Sequence, residues 1–431
     1  MRGAQWAGKG WRTRRAGGGI ALAVVLGGLS VSLSGCGASA AADNHVPGRR
    51  LTIYISLPFG GPSAIGSRSV LGGAELALDA VHRRVGRDRI DLRAVNDATV
   101  ASRGWDPGQT SANARLAIAD TRTIGYIGEL NSGASAVSIP LLNRAGIPQI
   151  SPASTAVGLT AGGAEASPGE PQKYYPNQQR TFARVIPNDS IQAAVQAQLQ
   201  VQAGCERVVV LDDGDVDGLD AATAFGAAAK SAHLDVVDID PFDPRATSYT
   251  SLAATVAQDR ADCVLFAALA QNHAALITEQ VAQAVPDAPL FGWSGLAEAA
   301  YTDAADGGIP ASLDARMVIT VAALAPADYP PAGRRFLSEY ARRYGPPAPD
   351  AIYGYEAMSL MLDAISRATH RGRTEALRSR VLAAIFATRD RHSVLGTYSI
   401  DANGDTTLDR YGIYHVSQGR LVFWKALAAP R

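Results

Sequence analysis

Between residues 123 and 160 the hydrophobic period changes twice, and that change limits what the chain can fold into more than any other feature. Thr123 to Ile127 is a short apolar run with the character of a strand. It ends in Asn131-Ser132-Gly133 and gives way to a helical pattern with Ala136, Ile139 and Leu142 on one face. A second strand follows at Ile147 to Ile150 and ends in Ser151-Pro152-Ala153-Ser154-Thr155. Strand, helix and strand in this order make a βαβ unit, which places the loops after both strands on the carboxyl edge of a parallel sheet. Ligands of such sheets bind on that edge.

Both loops carry small hydroxyl residues, and the first leads into a helix N-terminus. The free amides there attract an anion, small side chains admit a ligand close to the backbone, and hydroxyls add directional hydrogen bonds. The plainer reading stands beside this one: Ser132 caps one helix, and Ser154 or Thr155 caps the next. Two such loops close together on one edge form a floor, which favours the binding reading.

The stretch resembles the signature of type I periplasmic solute-binding proteins, the branched-chain amino-acid-binding group. It carries Ile127-Gly128 followed by Ser132, then Ala145-Gly146-Ile147-Pro148-Gln149-Ile150-Ser151-Pro152-Ala153-Ser154-Thr155. Further matches are Gly61-Pro62 with Gly73-Ala74-Glu75-Leu76-Ala77-Leu78-Asp79, the crossover pattern Phe182 to Asp189, and Thr247 to Leu252. The resemblance covers nearly all of Leu51 to Lys425. It implies two Rossmann-like α/β lobes, each a parallel sheet flanked by helices, joined by a three-stranded hinge. The expected divisions are 51–183 plus 321–394 for the N-terminal lobe and 184–320 plus 395–427 for the C-terminal lobe.

Residues 1–35 hold five basic residues (Arg2, Lys9, Arg12, Arg14, Arg15), no acidic one, and an apolar run from Ile20 to Leu33. This is the pattern of a secretory signal, too short and interrupted for a membrane span. Its end, Leu33-Ser34-Gly35-Cys36, resembles the bacterial lipobox, which implies cleavage before Cys36, lipidation of that cysteine and a tether over residues 36–50. Several acyl chains on one residue suffice for stable anchoring outside the cytoplasmic membrane. Removing the signal's five basic residues from the chain's 40 leaves 35 against 40 acidic ones. A mildly acidic chain argues against nucleic acid as partner. The remaining length points to two domains.

Cys205 and Cys263 each stand at the start of an expected strand, Arg207 to Leu211 and Val264 to Ala267. Neighbouring parallel strands bring such positions together and an extracytoplasmic setting permits oxidation, so a disulfide is expected; two buried free thiols are the alternative. The segment Gly162 to Gln179 reads as an irregular excursion whose Tyr174-Tyr175 pack it on itself. Ser63 to Ser69 reads as a loop before a helix, and Gly396 to Gly404 as a strand and tight turn.

Three cleft positions depart from the group's pattern. Ile65-Gly66-Ser67 replaces an aromatic ligand contact, and Asp215-Val216 replaces a second aromatic. The loop Trp293-Ser294-Gly295 lacks the acid that holds an amino acid's ammonium, unless Glu298 replaces it. Asp215 or Asp217 can meet a cationic part of a ligand, or the loop Asp212 to Asp220 is simply solvated. Neither that loop nor Asp401 to Gly412 completes a calcium site, and no nucleophile elbow, phosphate loop or zinc motif occurs.

The resemblance therefore implies a binding protein and not an enzyme, with no cofactor, no metal and no catalytic residue. Ser132, Gly133, Ala134, Ala153, Ser154, Thr155, Asp215 and Ser294 are the expected ligand-binding residues. The expected function is that of a monomeric, lipid-anchored receptor delivering a small polar solute, an amino acid or amide-like molecule, to ABC permease and ATPase subunits. A sensor of the same fold, reporting to a signalling partner, is the alternative.

Overall fold

The computed structural model describes residues 44–430. The signal segment and Cys36 lie outside the described residues. Alternation along Arg50–Leu57 (β1) buries Leu51, Ile53, Ile55 and Leu57 on one face and Thr52, Tyr54 and Ser56 on the other. A strand buried on both faces belongs inside a sheet covered by helices. Around β1 pair Asp88–Asn96 (β2) and Thr123–Ile127 (β3), both parallel to it, and Gln149–Ser151 (β4) and Phe182–Arg184 (β5) extend the sheet beyond β3. Helices Ala64–Ala80 (α1), Pro107–Ala119 (α2) and Ser132–Arg144 (α3) connect these strands.

Helix α1 begins at Ala64, so the expected loop Ser63 to Ser69 is largely helical. Its Gly66, Ser67 and Ser69 are buried, where small side chains make room for neighbours instead of forming a turn. Asp106 caps α2 as its position before Pro107 suggests, accepting a hydrogen bond from the Gln109 amide at 2.9 Å.

The second lobe starts with Asp189–Gln202 (α4) and repeats the scheme: Arg207–Asp212 (β6), Val216–Ser231 (α5), Asp235–Pro241 (β7), Thr250–Gln258 (α6), Cys263–Ala267 (β8), Ala274–Ala284 (α7), Leu290–Gly292 (β9) and Met317–Val321 (β10). Its sheet runs β7-β6-β8-β9-β10, then the antiparallel strands Arg410–Ser417 (β11) and Arg420–Ala428 (β12). Val208 of β6 stands opposite Cys263 of β8, and the sulfurs of Cys205 and Cys263 are bonded at 1.97 Å.

Between β10 and β11 the chain returns to the first lobe as Pro331–Tyr344 (α8), Ala351–Ala368 (α9) and Arg378–Phe386 (α10). α9 crosses α1 closely, because Gly73 and Gly354 have no side chains there. A Cβ on Gly73 would lie 2.1 Å from the Ala351 carbonyl oxygen, and one on Gly354 2.2 Å from that of Val70. Past residue 394, Tyr398 donates to Glu356 of α9 at 2.7 Å. The excursion 162–179 folds Tyr174 and Tyr175 into a small core with Ile139, Leu159 and Phe182.

The first and third crossings are tied together by Arg184, which is fully buried. Its Nε donates to Asp405 at 2.6 Å, Nη1 donates to the Ser154 and Ala156 carbonyls at 3.0 and 2.8 Å, and Nη2 bonds the Thr160 hydroxyl. Removing one partner of such a pair leaves a buried charge uncompensated. Asp405→Ala is expected to lower unfolding free energy by about 3–5 kcal/mol in urea titration; a loss under about 1 kcal/mol contradicts the assignment of this pair as the hinge anchor.

Candidate functional site

The carboxyl edge of the first sheet supplies the floor. Gly128 ends β3 at φ +138°, where a Cβ would lie 2.8 Å from the Ser56 carbonyl oxygen, so only glycine fits. The loop then passes Glu129 and Asn131 into α3. The hydroxyls expected to face a ligand instead join this loop to the one after β4. Ser132 Oγ accepts from the Thr155 and Ala156 amides, each at 3.1 Å. Ser151 Oγ donates to the Glu129 carbonyl at 2.7 Å and accepts from the Ser154 amide at 2.8 Å. Ser154 Oγ bonds Ser135 Oγ at 2.8 Å and donates to the Glu129 carbonyl at 3.1 Å. Ser132, Ser154 and Ala134 are wholly buried, and what the loops present to the space between the lobes is Leu130, Asn131, Ala153 and Thr155.

The other wall comes from the second lobe. Helix α5 points its first turn at α3, and Asp217 lies on the α3 N-terminus: Oδ1 accepts from the Ser132 amide at 2.9 Å and Oδ2 from the Gly133 amide at 3.2 Å. One turn on, Asp220 accepts from the Val157 amide, and from that of Gly158 at 3.4 Å. Asp213 fixes the loop from behind, accepting from the Leu269 amide at 2.7 Å and Asn272 at 2.8 Å. Ser294 donates to Gln192 at 3.1 Å and borders the cavity. Asp215 lies beside Gly133 with a buried Oδ1 that has no partner, outside the cavity lining.

What remains between the lobes is a cavity of roughly 70 Å³. Ser63, Asn131, Thr155 and Asp350 border it from the first lobe, Asp217, Ser294 and Glu298 from the second, and Ile186, Val321 and Ala322 from two crossings. Glu298 reaches across to α1, where a Cβ on Gly66 would lie 3.2 Å from its Oε1. Glycine at position 66 thus leaves room for the Glu298 carboxylate. Outside this cavity a wider space of about 810 Å³ opens between the rims, which touch where Arg103 Nη1 and His273 Nε2 lie 3.0 Å apart. The inner cavity is the better candidate, because polar groups from both lobes and the crossings converge there.

Its electrostatics are one-sided. Burial pushes Glu298 up to about 8 and Asp350 up to about 6. Asp217 is raised by burial, against the pull of the Ser132 and Gly133 amides. Asp215 is pushed up to about 8 by burial and by the charges of Asp217 and Asp213. Asp189, which accepts from the Trp293 indole at 3.0 Å, is held by burial at about 7. Beneath the floor Asp97 is raised by burial to about 7, and Glu129, bonded to the Tyr126 hydroxyl at 2.8 Å, is raised as well. No Arg, Lys or His is among the described residues lining the inner cavity.

The family profile described as periplasmic binding protein matches residues 51–420. The chain belongs to that family. The curated relatives it matches include Leu/Ile/Val-binding proteins. It is 23% identical over 379 residues to the Leu/Ile/Val-binding protein BraC3 of Rhizobium johnstonii, covering 86% of this chain and 93% of that one. The leucine-binding protein LivK of Thermotoga maritima superposes with a TM-score of 0.73 at 20% identity, covering 88% of this chain and 99% of that one. A solute-binding protein from Rhodopseudomonas palustris, solved with p-hydroxybenzoic acid, superposes with a TM-score of 0.71 at 15% identity, covering 89% and 98%. The family and fold are those of extracytoplasmic solute-binding proteins, not of enzymes.

Of the residues expected at the site, Ala153, Thr155 and Ser294 border the cavity. Ser132, Gly133, Ala134, Ser154 and Asp215 lie behind or beside it. Asn131, Ser63 and Asp350 were not among the expectations. Asn131 is visible as the residue before Ser132, but Asp350 arrives from far along the chain and carries no local signal.

The buried carboxyls give a pH dependence with a definite sign. Asp97, Asp189, Glu298 and Asp350 hold protons more tightly folded than unfolded. The folded chain therefore binds more protons from about pH 4 to about pH 8, and stability falls as pH rises through that window. The melting temperature is expected to decline from about pH 5 to about pH 8; one that rises across that interval contradicts the assignment.

Proposed function

We propose that the protein is the solute receptor of an ABC importer, held outside the cell membrane by lipid on Cys36, and that it carries a small polar solute in the interlobe cavity. The observation behind this reading is the make-up of that cavity: residues of both lobes and two of the crossings line one space. A solute there contacts both lobes at once only when they are closed, so binding shifts the population toward the closed form that a permease can distinguish. Thr155, Ala153 and Ser294 touch the solute in this reading. Ser132, Gly133, Ala134, Ser154 and Asp215 set the loops that hold it.

The anchor and the binding are tested separately. In a bacterial host, metabolic labelling with a palmitate analogue is expected to mark the wild-type protein and not Cys36→Ala, which is released from the membrane fraction; an unlabelled wild type overturns the anchor. Thermal-shift screening against amino acids, amines, amides and small organic acids should find a stabilising solute whose effect Thr155→Ala reduces. A solute whose affinity is indifferent to changes at Thr155, Ser294 and Glu298 would place binding elsewhere.

A further inference from the structure

The inner cavity accepts hydrogen bonds and offers few. Glu298 and Asp350 line it as half-buried carboxyls without a lining cation, and Asp217 adds a third. Asn131 borders it at 6% exposure with an Oδ1 that has no hydrogen-bond partner. A buried unpaired acceptor is costly, and a donor on a bound molecule relieves it.

The groups that might receive a carboxylate are already engaged. The Ser132 and Gly133 amides at the head of α3 donate to Asp217. The Ser132 hydroxyl is taken by the Thr155 and Ala156 amides. A ligand carboxylate would have to displace Asp217 from the amides. It would then leave that side chain beside Asp215, whose ionisation the charges of Asp217 and Asp213 already disfavour. Like charges brought together in a desolvated site cost several powers of ten in affinity. Apart from the hydroxyls of Ser63, Thr155 and Ser294, the rest of the lining is apolar, with Leu130, Ile186, Leu269 and Val321 its larger side chains.

We infer that the solute is a small aliphatic cation with N–H donors and no carboxylate, an alkylamine or short diamine, with its charged nitrogen between Glu298, Asp350 and Asn131 while Asp217 fills the place a ligand carboxylate would take. This rests on the reading of the cavity as the solute site and narrows it to a ligand class. Glu298 and Asp350 lie on opposite lobes, so a cation between them neutralises acids of both at once and draws the lobes together. The small closed volume favours short chains.

Pairs of molecules that differ only by the carboxylate test this directly. Isothermal titration of the purified protein would compare isobutylamine with valine, isoamylamine with leucine, and putrescine with ornithine. At least one amine is expected to bind about 100-fold more tightly than its amino acid. Asp217→Ala, which frees the α3 amides, is expected to narrow or reverse that ratio by gaining the amino acid. Glu298→Gln, which leaves the amides engaged, is expected to weaken the amine about tenfold or more without that gain. An amino acid that matches or beats its amine in the wild type overturns the inference and leaves the cavity as a solute site. Binding by no member of any pair also overturns it. A neutral or anionic solute that then binds and responds to Thr155→Ala preserves the wider reading, whereas none binding anywhere in the cleft removes both.

Discussion

One carboxylate joins the two halves of this molecule at the place where a ligand anion would otherwise sit. Asp217, in the first turn of a helix of the second lobe, rests on the two amides that open a helix of the first. Helix N-termini attract anions because their first amides lack partners and the peptide dipoles add there. The neighbouring contacts extend the same logic: Asp220 reaches the amides of Val157 and Gly158 one turn further on. The second lobe thus docks on the first through acids that meet backbone donors. The hydroxyls of Ser132, Ser151 and Ser154 keep those donors in position.

That arrangement changes the character of the space left over. In a cleft whose helix N-terminus is free, the strongest anchor available is for an anion. Here the anchor is used internally, and the groups still facing the cavity are acceptors. Gly66 leaves room for Glu298, which lines the cavity together with Ser294. Burial raises the affinity of these carboxyls for protons, which is the same energetic shortfall that a bound cation would remove.

Much of this was legible in the chain itself, and the part that was not has a physical reason. The alternation of β1 and the period changes around β3, α3 and β4 locate the sheet edge, because burial on both faces and on one helical stripe leaves a local imprint. The cysteine pair follows from strand starts that the sheet brings side by side. The helical reading failed at Ser63 to Ser69, where small polar residues mimic a loop although close packing buries them. The hydroxyl loops were found, but which way their side chains turn depends on carbonyls such as that of Glu129, twenty or more residues away. Asp350 entered the cavity only through tertiary packing, since it stands at the head of a helix that returns from the other lobe.

The central claim is that Asp217 holds the lobes closed by standing in for a ligand anion on the α3 amides. Small-angle X-ray scattering of the ligand-free protein tests it most directly, with wild type compared against Asp217→Ala. A larger radius of gyration in the variant, from lobes released about the Arg184–Asp405 hinge, is the predicted result. An identical scattering profile for the two folded proteins would show that closure does not depend on this carboxylate and would contradict the account.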